Sequence, residues 1–134
     1  MRYLFGCLLL AALTACTAVN VRPVENVDAL DTVCIVENDR VPIDDILEVL
    51  QEGFQRNGVD TRIVTREGTG SCETVLTYMA RRYWDVTFYM TSAELWLWRD
   101  NVQIGYAEYH LRNNGGMSLA KWKSTRAKLD VIFQ

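Results

Sequence analysis

The chain is poor in the residues from which metal and nucleophile sites are built. It has one histidine, His110, and four cysteines in 134 residues. No C-x-x-C pair occurs, which excludes the short-spaced redox dithiol. No G-x-S-x-G turn accompanies His110, so nothing frames it as the base of a Ser-His-Asp site. A lone strand histidine reads as a half-exposed polar position. Gly68-Thr69-Gly70 is too short for a phosphate-binding loop. A basic excess is also missing: 14 Lys and Arg face 17 Asp and Glu, for a net charge of −3. A nucleic-acid partner would ask for a strongly basic face, so none is expected. No apolar run is long enough for a membrane-spanning helix, which needs about 20 residues. Half the chain is hydrophobic at 49%, and 23% is charged, which excludes a disordered or collagen-like chain.

What is present begins with an address. Met1-Arg2 precedes an apolar run from Tyr3 to Ala15. A basic start, a short apolar stretch and small residues before a break describe a secretory signal. The break is Leu13-Thr14-Ala15-Cys16, which resembles the bacterial lipobox. The resemblance implies cleavage after Ala15 and a diacylglyceryl thioether on Cys16, followed by N-acylation with a fatty acid such as palmitate. Each buried CH₂ contributes about 0.8 kcal/mol, so three acyl chains would anchor the protein firmly. Thr17, where an aspartate would retain a lipoprotein at the inner membrane, favours the outer membrane. Loss of Arg2 with the signal takes the net charge from −3 to −4. Residues 16–60 carry 3 basic and 10 acidic side chains, so charge is uneven along the mature chain. It reads as a solvated mixed surface.

Cys7 leaves with the signal and Cys16 takes lipid, so Cys34 and Cys72 remain. An even pair in an oxidising compartment is expected to form a disulfide. Two Cys and one His are too few for a zinc site, and no cofactor or metal is expected.

Residues 16–30 read as a tether and 31–134 as one folded domain. Thr32–Glu37 is a buried strand. After Pro42, the residues Ile43, Ile46, Leu47, Leu50 and Phe54 lie on one helical stripe. Gly58 stops that helix, and Val59–Arg66 is a second strand. From Cys72 to Leu111 the chain is nearly all strand, with a two-residue hairpin loop at Asp100-Asn101. Setting Arg99 opposite Val102 places Leu97 opposite Ile104, Leu95 opposite Tyr106 and Trp96 opposite Gly105. Leu95 and Leu97 then face the core, and Trp96 and Trp98 the other side. The apolar phase switches near Thr91-Ser92, which a β-bulge would explain. A last helix, Leu119–Phe133, is capped by Ser118 and carries Lys121, Lys123, Arg126 and Lys128 outside its apolar stripe. The expected fold is α+β: a small mixed or antiparallel sheet of three to five strands, order β-α-β-β-β-α, with helices on one face.

The stretches Glu73–Tyr78, Tyr83-Trp84-Asp85, Ala93–Trp98, Gly105–Tyr109 and Lys121–Thr125 resemble small outer-membrane lipoproteins of Gram-negative bacteria, most without an assigned activity. The element order is also similar to periplasmic domains of the curli-secretion lipoprotein and of the lipoprotein activators of penicillin-binding proteins. Neither resemblance brings a catalytic motif, and fold analogy does not give function.

The candidate binding residues are Trp96 and Trp98, with Tyr89 and Glu94 nearby. Exposed aromatics on a sheet mark protein interfaces or sugar platforms. Asp85 with Glu94, or Glu94 with Glu108, has the composition of a glycosidase pair. In the hairpin register above, however, Glu94 faces Ala107 and Glu108 faces Ala93, on opposite sides. An enzyme is therefore not expected. The reading is a lipid-anchored envelope protein that binds another envelope protein as an accessory or assembly factor, with peptidoglycan binding through the aromatic face as the alternative.

Overall fold

A computed structural model describes residues 17–24 and 30–133. The signal segment and Cys16 lie outside the described residues. Six strands form one mixed sheet in the order β1-β6-β5-β4-β2-β3. They are β1 (Thr17–Arg22), β2 (Thr32–Val36), β3 (Asp60–Val64), β4 (Thr74–Asp85), β5 (Thr87–Arg99) and β6 (Val102–Leu111). Among the described residues the helices are α1 (Ile46–Arg56) and α2 (Thr125–Asp130), with short 3₁₀ turns at Arg66–Ser71 and Leu119–Trp122 and a turn at Arg112–Gly115 in which Asn113 and Asn114 are left-handed. β2 runs parallel to both β3 and β4, and the remaining pairs are antiparallel. The α+β class and the mixed sheet agree with the sequence reading. The order β-α-β-β-β-α falls short, because the described residues form six strands.

One of the additional strands is β1, within the segment read as a tether. Thr17 to Arg22 pair with Leu111 to Tyr106 along the free edge of β6. Its side chains are mostly exposed. Val19 and Val21 alternate with Asn20 and Arg22, but the run is short and has no buried face, so its partner is what marks it as a strand.

α1 forms where the stripe predicted it. Ile46, Val49 and Leu50 are buried, and Ile43, Leu47 and Phe54 pack at the margin. Gly53 lies under the Phe133 ring, so close that a Cβ would stand 2.4 Å from it. Gly58 ends the helix at φ +75°, where other residues are strained. The last helix is broken rather than continuous. Ser118 caps the 3₁₀ turn by accepting from the Ala120 amide, and Ser124 caps α2 by accepting from Ala127. These elements cover one face of the sheet. The core joins Val33, Ile35, Leu76, Tyr78, Leu95 and Leu97 to the helix residues and to Leu129.

Three local expectations are met. Asp100 and Asn101 both take positive φ, 52° and 62°, as a two-residue hairpin loop of the primed kind requires. Arg81 pairs with Ser92 but Arg82 with Met90, so Thr91 is the extra residue of a bulge. Cys34 and Cys72 form a disulfide with a Cα–Cα distance of 6.0 Å.

A second bulge was not foreseen. Trp98 pairs with Gln103 and Leu97 with Gly105, which leaves Ile104 unpaired. Every β6 residue beyond it is displaced by one relative to the simple hairpin register. Leu95 therefore meets Ala107 and Trp96 meets Tyr106. Gly105 points into the core instead of lying beneath Trp96. A Cβ there would stand 2.9 Å from Val24 Cγ2, so any side chain would force the neighbouring packing to shift.

Candidate functional site

The two faces of β5 have different fates. Ala93, Leu95 and Leu97 are buried under the helices, while Glu94, Trp96 and Trp98 alternate with them and stay half-exposed. Strand alternation alone produces this division. Cross-strand pairing then arranges the uncovered face in rows. Val75, Trp98 and Gln103 make the first row, and Thr77, Trp96, Tyr106 and Arg22 the second. Met79, Glu94, Glu108 and Asn20 make the third, and Arg81, Ser92, His110 and Ala18 the fourth.

Trp98 is fixed by a hydrogen bond from its indole Nε1 to Thr77 Oγ1 at 2.8 Å. Trp96 and Tyr106 rings meet with centroids 6.0 Å apart and planes tilted by 49°. Tyr106 donates its hydroxyl proton to Glu108 Oε2 at 3.2 Å. Burial raises the Tyr106 pKa above its ordinary value, and the neighbouring Glu108 carboxylate raises it further. The tyrosine thus stays neutral and acts as a donor at physiological pH.

Glu94 and Glu108 are direct cross-strand partners. The hairpin register had separated them, and the Ile104 bulge brings them to one face. Side chains so placed have Cβ atoms about 5 Å apart, and like charges there destabilise the pair. An acidic spot therefore adjoins the aromatic rows. His110 lies one row further on, exposed, between Ser92 and Ala18. Among the described residues no group of three or more His, Cys, Asp or Glu side chains is arranged to hold a metal ion.

At the hairpin end the face opens into a cavity of about 440 Å³. Trp98 and Thr77 form part of its wall, and Glu37, Glu73 and Asp100 add carboxylates. The disulfide borders it through Cys72, and Arg62 braces the sulfurs by donating to Ser71 Oγ at 3.0 Å and to Cys72 Sγ at 3.4 Å.

Tyr89 does not belong to this face. It is buried, donates its hydroxyl proton to the Asn114 carbonyl at 2.6 Å, and lies beneath two ammonium groups. Those belong to Lys121 and Lys128, which the helical stripe had placed in solvent. Lys121 pairs with Asp85 and donates to Gly116 O. Lys128 donates to Met90 O at 2.7 Å and to Lys121 O at 2.5 Å. Burial pulls the Lys128 pKa down to about 8. The cluster ties the C-terminal turns to the turn end of the β4–β5 hairpin, at Asp85 and Met90, and is structural.

Sequence reasoning thus placed Trp96, Trp98 and Glu94 together, but missed Tyr106, put Glu108 on the opposite face and added Tyr89. A sign of the missing pair was present in β6. Ala107, Tyr109 and Leu111 alternate with Glu108 and His110, opposite in phase to Val102 and Ile104.

The chain matches no protein-family model and no curated protein. Solved structures do share its architecture. One is a point variant of PelC from Paraburkholderia phytofirmans, described as a dodecamer. It aligns with a TM-score of 0.58 at 15% identity, over 86% of this chain and 98% of that one. Another crystal form of the PelC dodecamer gives 0.58 at 12% identity, over 87% and 92%. At such identities the likeness is one of fold. Among the described residues no helix is long and apolar enough to cross a membrane.

Proposed function

We propose that this chain is a lipid-anchored protein of the bacterial outer membrane that works by binding, as an accessory or assembly factor for another envelope protein. The observation that carries this reading is the uncovered sheet face. Trp96, Trp98 and Tyr106 form a half-exposed aromatic patch beside Glu94 and Glu108, and the described helices pack on the opposite side. Aromatic residues dominate interface energetics because they bury large area at little conformational cost. The lipobox-like Leu13–Cys16 supplies the anchor in this reading.

Two experiments test the parts separately. Cys16→Ser is expected to accumulate as unprocessed, unacylated precursor; normal processing would remove the anchor. Photo-crosslinking probes at Trp96 and Trp98 should give a discrete protein adduct in living cells. A probe at Glu48, exposed on α1, should not. Adducts of equal strength from all three sites would argue against a specific face.

The cavity beside Trp98 favours one second reading. An indole wall with Glu37, Glu73 and Asp100 around it has the composition of a sugar site. Retention on isolated peptidoglycan, lost in Trp98→Ala, would replace the protein partner with a glycan.

A further inference from the structure

The outermost turn of the β4–β5 hairpin has an unusual surface. Trp84 is 62% exposed, Val86 78% and Phe88 56%. Trp84 and Phe88 are direct cross-strand partners, so their side chains stand together on one side of the ribbon. Val86 between them has φ +66°, a left-handed conformation that a β-branched side chain adopts only under strain. Strain held at an exposed apolar turn is a cost that folding alone does not explain.

The turn is nonetheless firmly held. Trp122 donates its indole N–H to Asp85 O at 2.9 Å, and the Lys121 ammonium pairs with the Asp85 carboxylate. The Arg82 guanidinium stacks 4.0 Å above the Phe88 ring. With Asp85 paired, Arg82 leaves the tip basic.

Its position in the sheet gives this surface a meaning. Pairing of β5 with β6 ends at Ser92–His110, and β1 begins with Thr17 beside Leu111. Beyond that row, among the described strands, only the ribbon of Arg82–Asp85 and Thr87–Met90 continues. From Arg81 to Val86 it reaches roughly 16 Å further, at about 3.3 Å per residue. Thr17 directly follows Cys16, so the end of the sheet that carries the tip is also the end that would carry the acyl chains.

We infer that the tip formed by Trp84, Val86 and Phe88 is a second membrane contact, which inserts into the headgroup and upper acyl region of an anionic bilayer. This rests on the proposed acylation of Cys16 for its geometry, and adds an orientation to it. Tryptophan favours the interface because its ring is apolar with one polar edge. Arg82 can keep its charge among headgroups while its stem and the Phe88 ring go deeper. Arg82 attracts anionic lipid. Two contacts at one end hold the domain upright, with the Trp98 cavity at the far end of the sheet pointing away from the membrane.

The test uses full-length protein, processed in a Gram-negative host, purified and reconstituted in phosphatidylethanolamine–phosphatidylglycerol vesicles. An environment-sensitive fluorophore is placed at Val86→Cys or, at the opposite hairpin, at Val102→Cys. The expected result is blue-shifted emission at position 86, quenched by nitroxide-labelled lipids, with neither change at 102. Adding Trp84→Ser and Phe88→Ser to the first variant should weaken both changes, since these exposed residues contribute little to the core. No quenching at 86, or equal quenching at 86 and 102, overturns the inference. A position 86 shielded from aqueous iodide yet insensitive to nitroxide lipid would also overturn it, in favour of a protein docked on the tip. The mass of Cys16 and vesicle flotation in the same samples report the anchor separately. An acylated, floating protein with an unquenched tip refutes only the inference, whereas an unacylated Cys16 refutes the anchor whatever the tip does.

Discussion

Replacing Cys34 and Cys72 by alanine removes the one covalent constraint of the folded domain and provides a quantitative test of its architecture. The disulfide joins residues 38 apart in sequence. In the chain-entropy account, closing a loop of that size in the unfolded state stabilises the native fold by about 4 kcal/mol. The sequence between them includes α1 and β3, so the constraint spans the whole β2–α1–β3 unit. Cys34 is also fully buried, and its loss adds a small packing term. With a urea dependence of about 2 kcal/mol per molar, the midpoint should fall by roughly 2 M. Equilibrium urea unfolding followed by tryptophan fluorescence measures this, because Trp98 packs near Cys72 around one cavity. Reductant should bring the wild type to the variant's midpoint and leave the variant unmoved. A midpoint shift below about 0.3 M would refute the reasoning, for it would show that β2, α1 and β3 remain associated in the unfolded ensemble without the cross-link.

Three other perturbations examine different parts of the molecule. Lys128 titrates in the fold near pH 8 rather than at its ordinary 10.5 because it is desolvated. Between these values the unfolded chain holds a proton that the folded chain has released, so stability relative to Lys128→Met should rise with pH across that window, by at most about 3 kcal/mol. Parallel pH profiles for the two proteins would contradict it. Val86→Gly relieves the left-handed strain and should leave the lipid-free domain as stable or up to about 1 kcal/mol more stable, read as a higher melting temperature; a clear loss would mean that the valine packs. Glu94→Gln removes the like-charge contact with Glu108 and should stabilise the domain by roughly 0.5 kcal/mol at low salt, less at high salt. A destabilised Glu94→Gln variant would show the carboxylate to be compensated.

Several features were legible because they are local. The alternation of Ala93, Leu95 and Leu97 with Glu94, Trp96 and Trp98 needs only the two-residue period of a strand. The turn at Asp100-Asn101 follows from residues that tolerate positive φ. The bulge at Thr91 is visible as a change of apolar phase within one strand. The pairing of Cys34 with Cys72 follows from arithmetic once the first two cysteines are set aside. What the sequence alone determined is therefore the helix stripe, the strands with one buried face, and which side of β5 faces out.

Other features exist only through contacts between distant segments. β1 is a strand because β6 offers it an edge; its own side chains remain mostly in water. Trp84, Val86, Phe88 and Met90 share one apolar phase, yet only Met90 reaches the core and the other three stay exposed. Lys121 and Lys128 carry the chemistry of surface residues, and they are buried because Asp85 and three main-chain carbonyls wait where they point. The Ile104 bulge decides the site itself. Gly105 can approach Val24 and Leu97 only with its Cα turned into the core, and this close packing goes with a register that brings Tyr106 beside Trp96 and Glu108 beside Glu94. Periodicity fixes the face of a residue within its own strand; the neighbour it meets across the sheet depends on where the tertiary structure spends its extra residues.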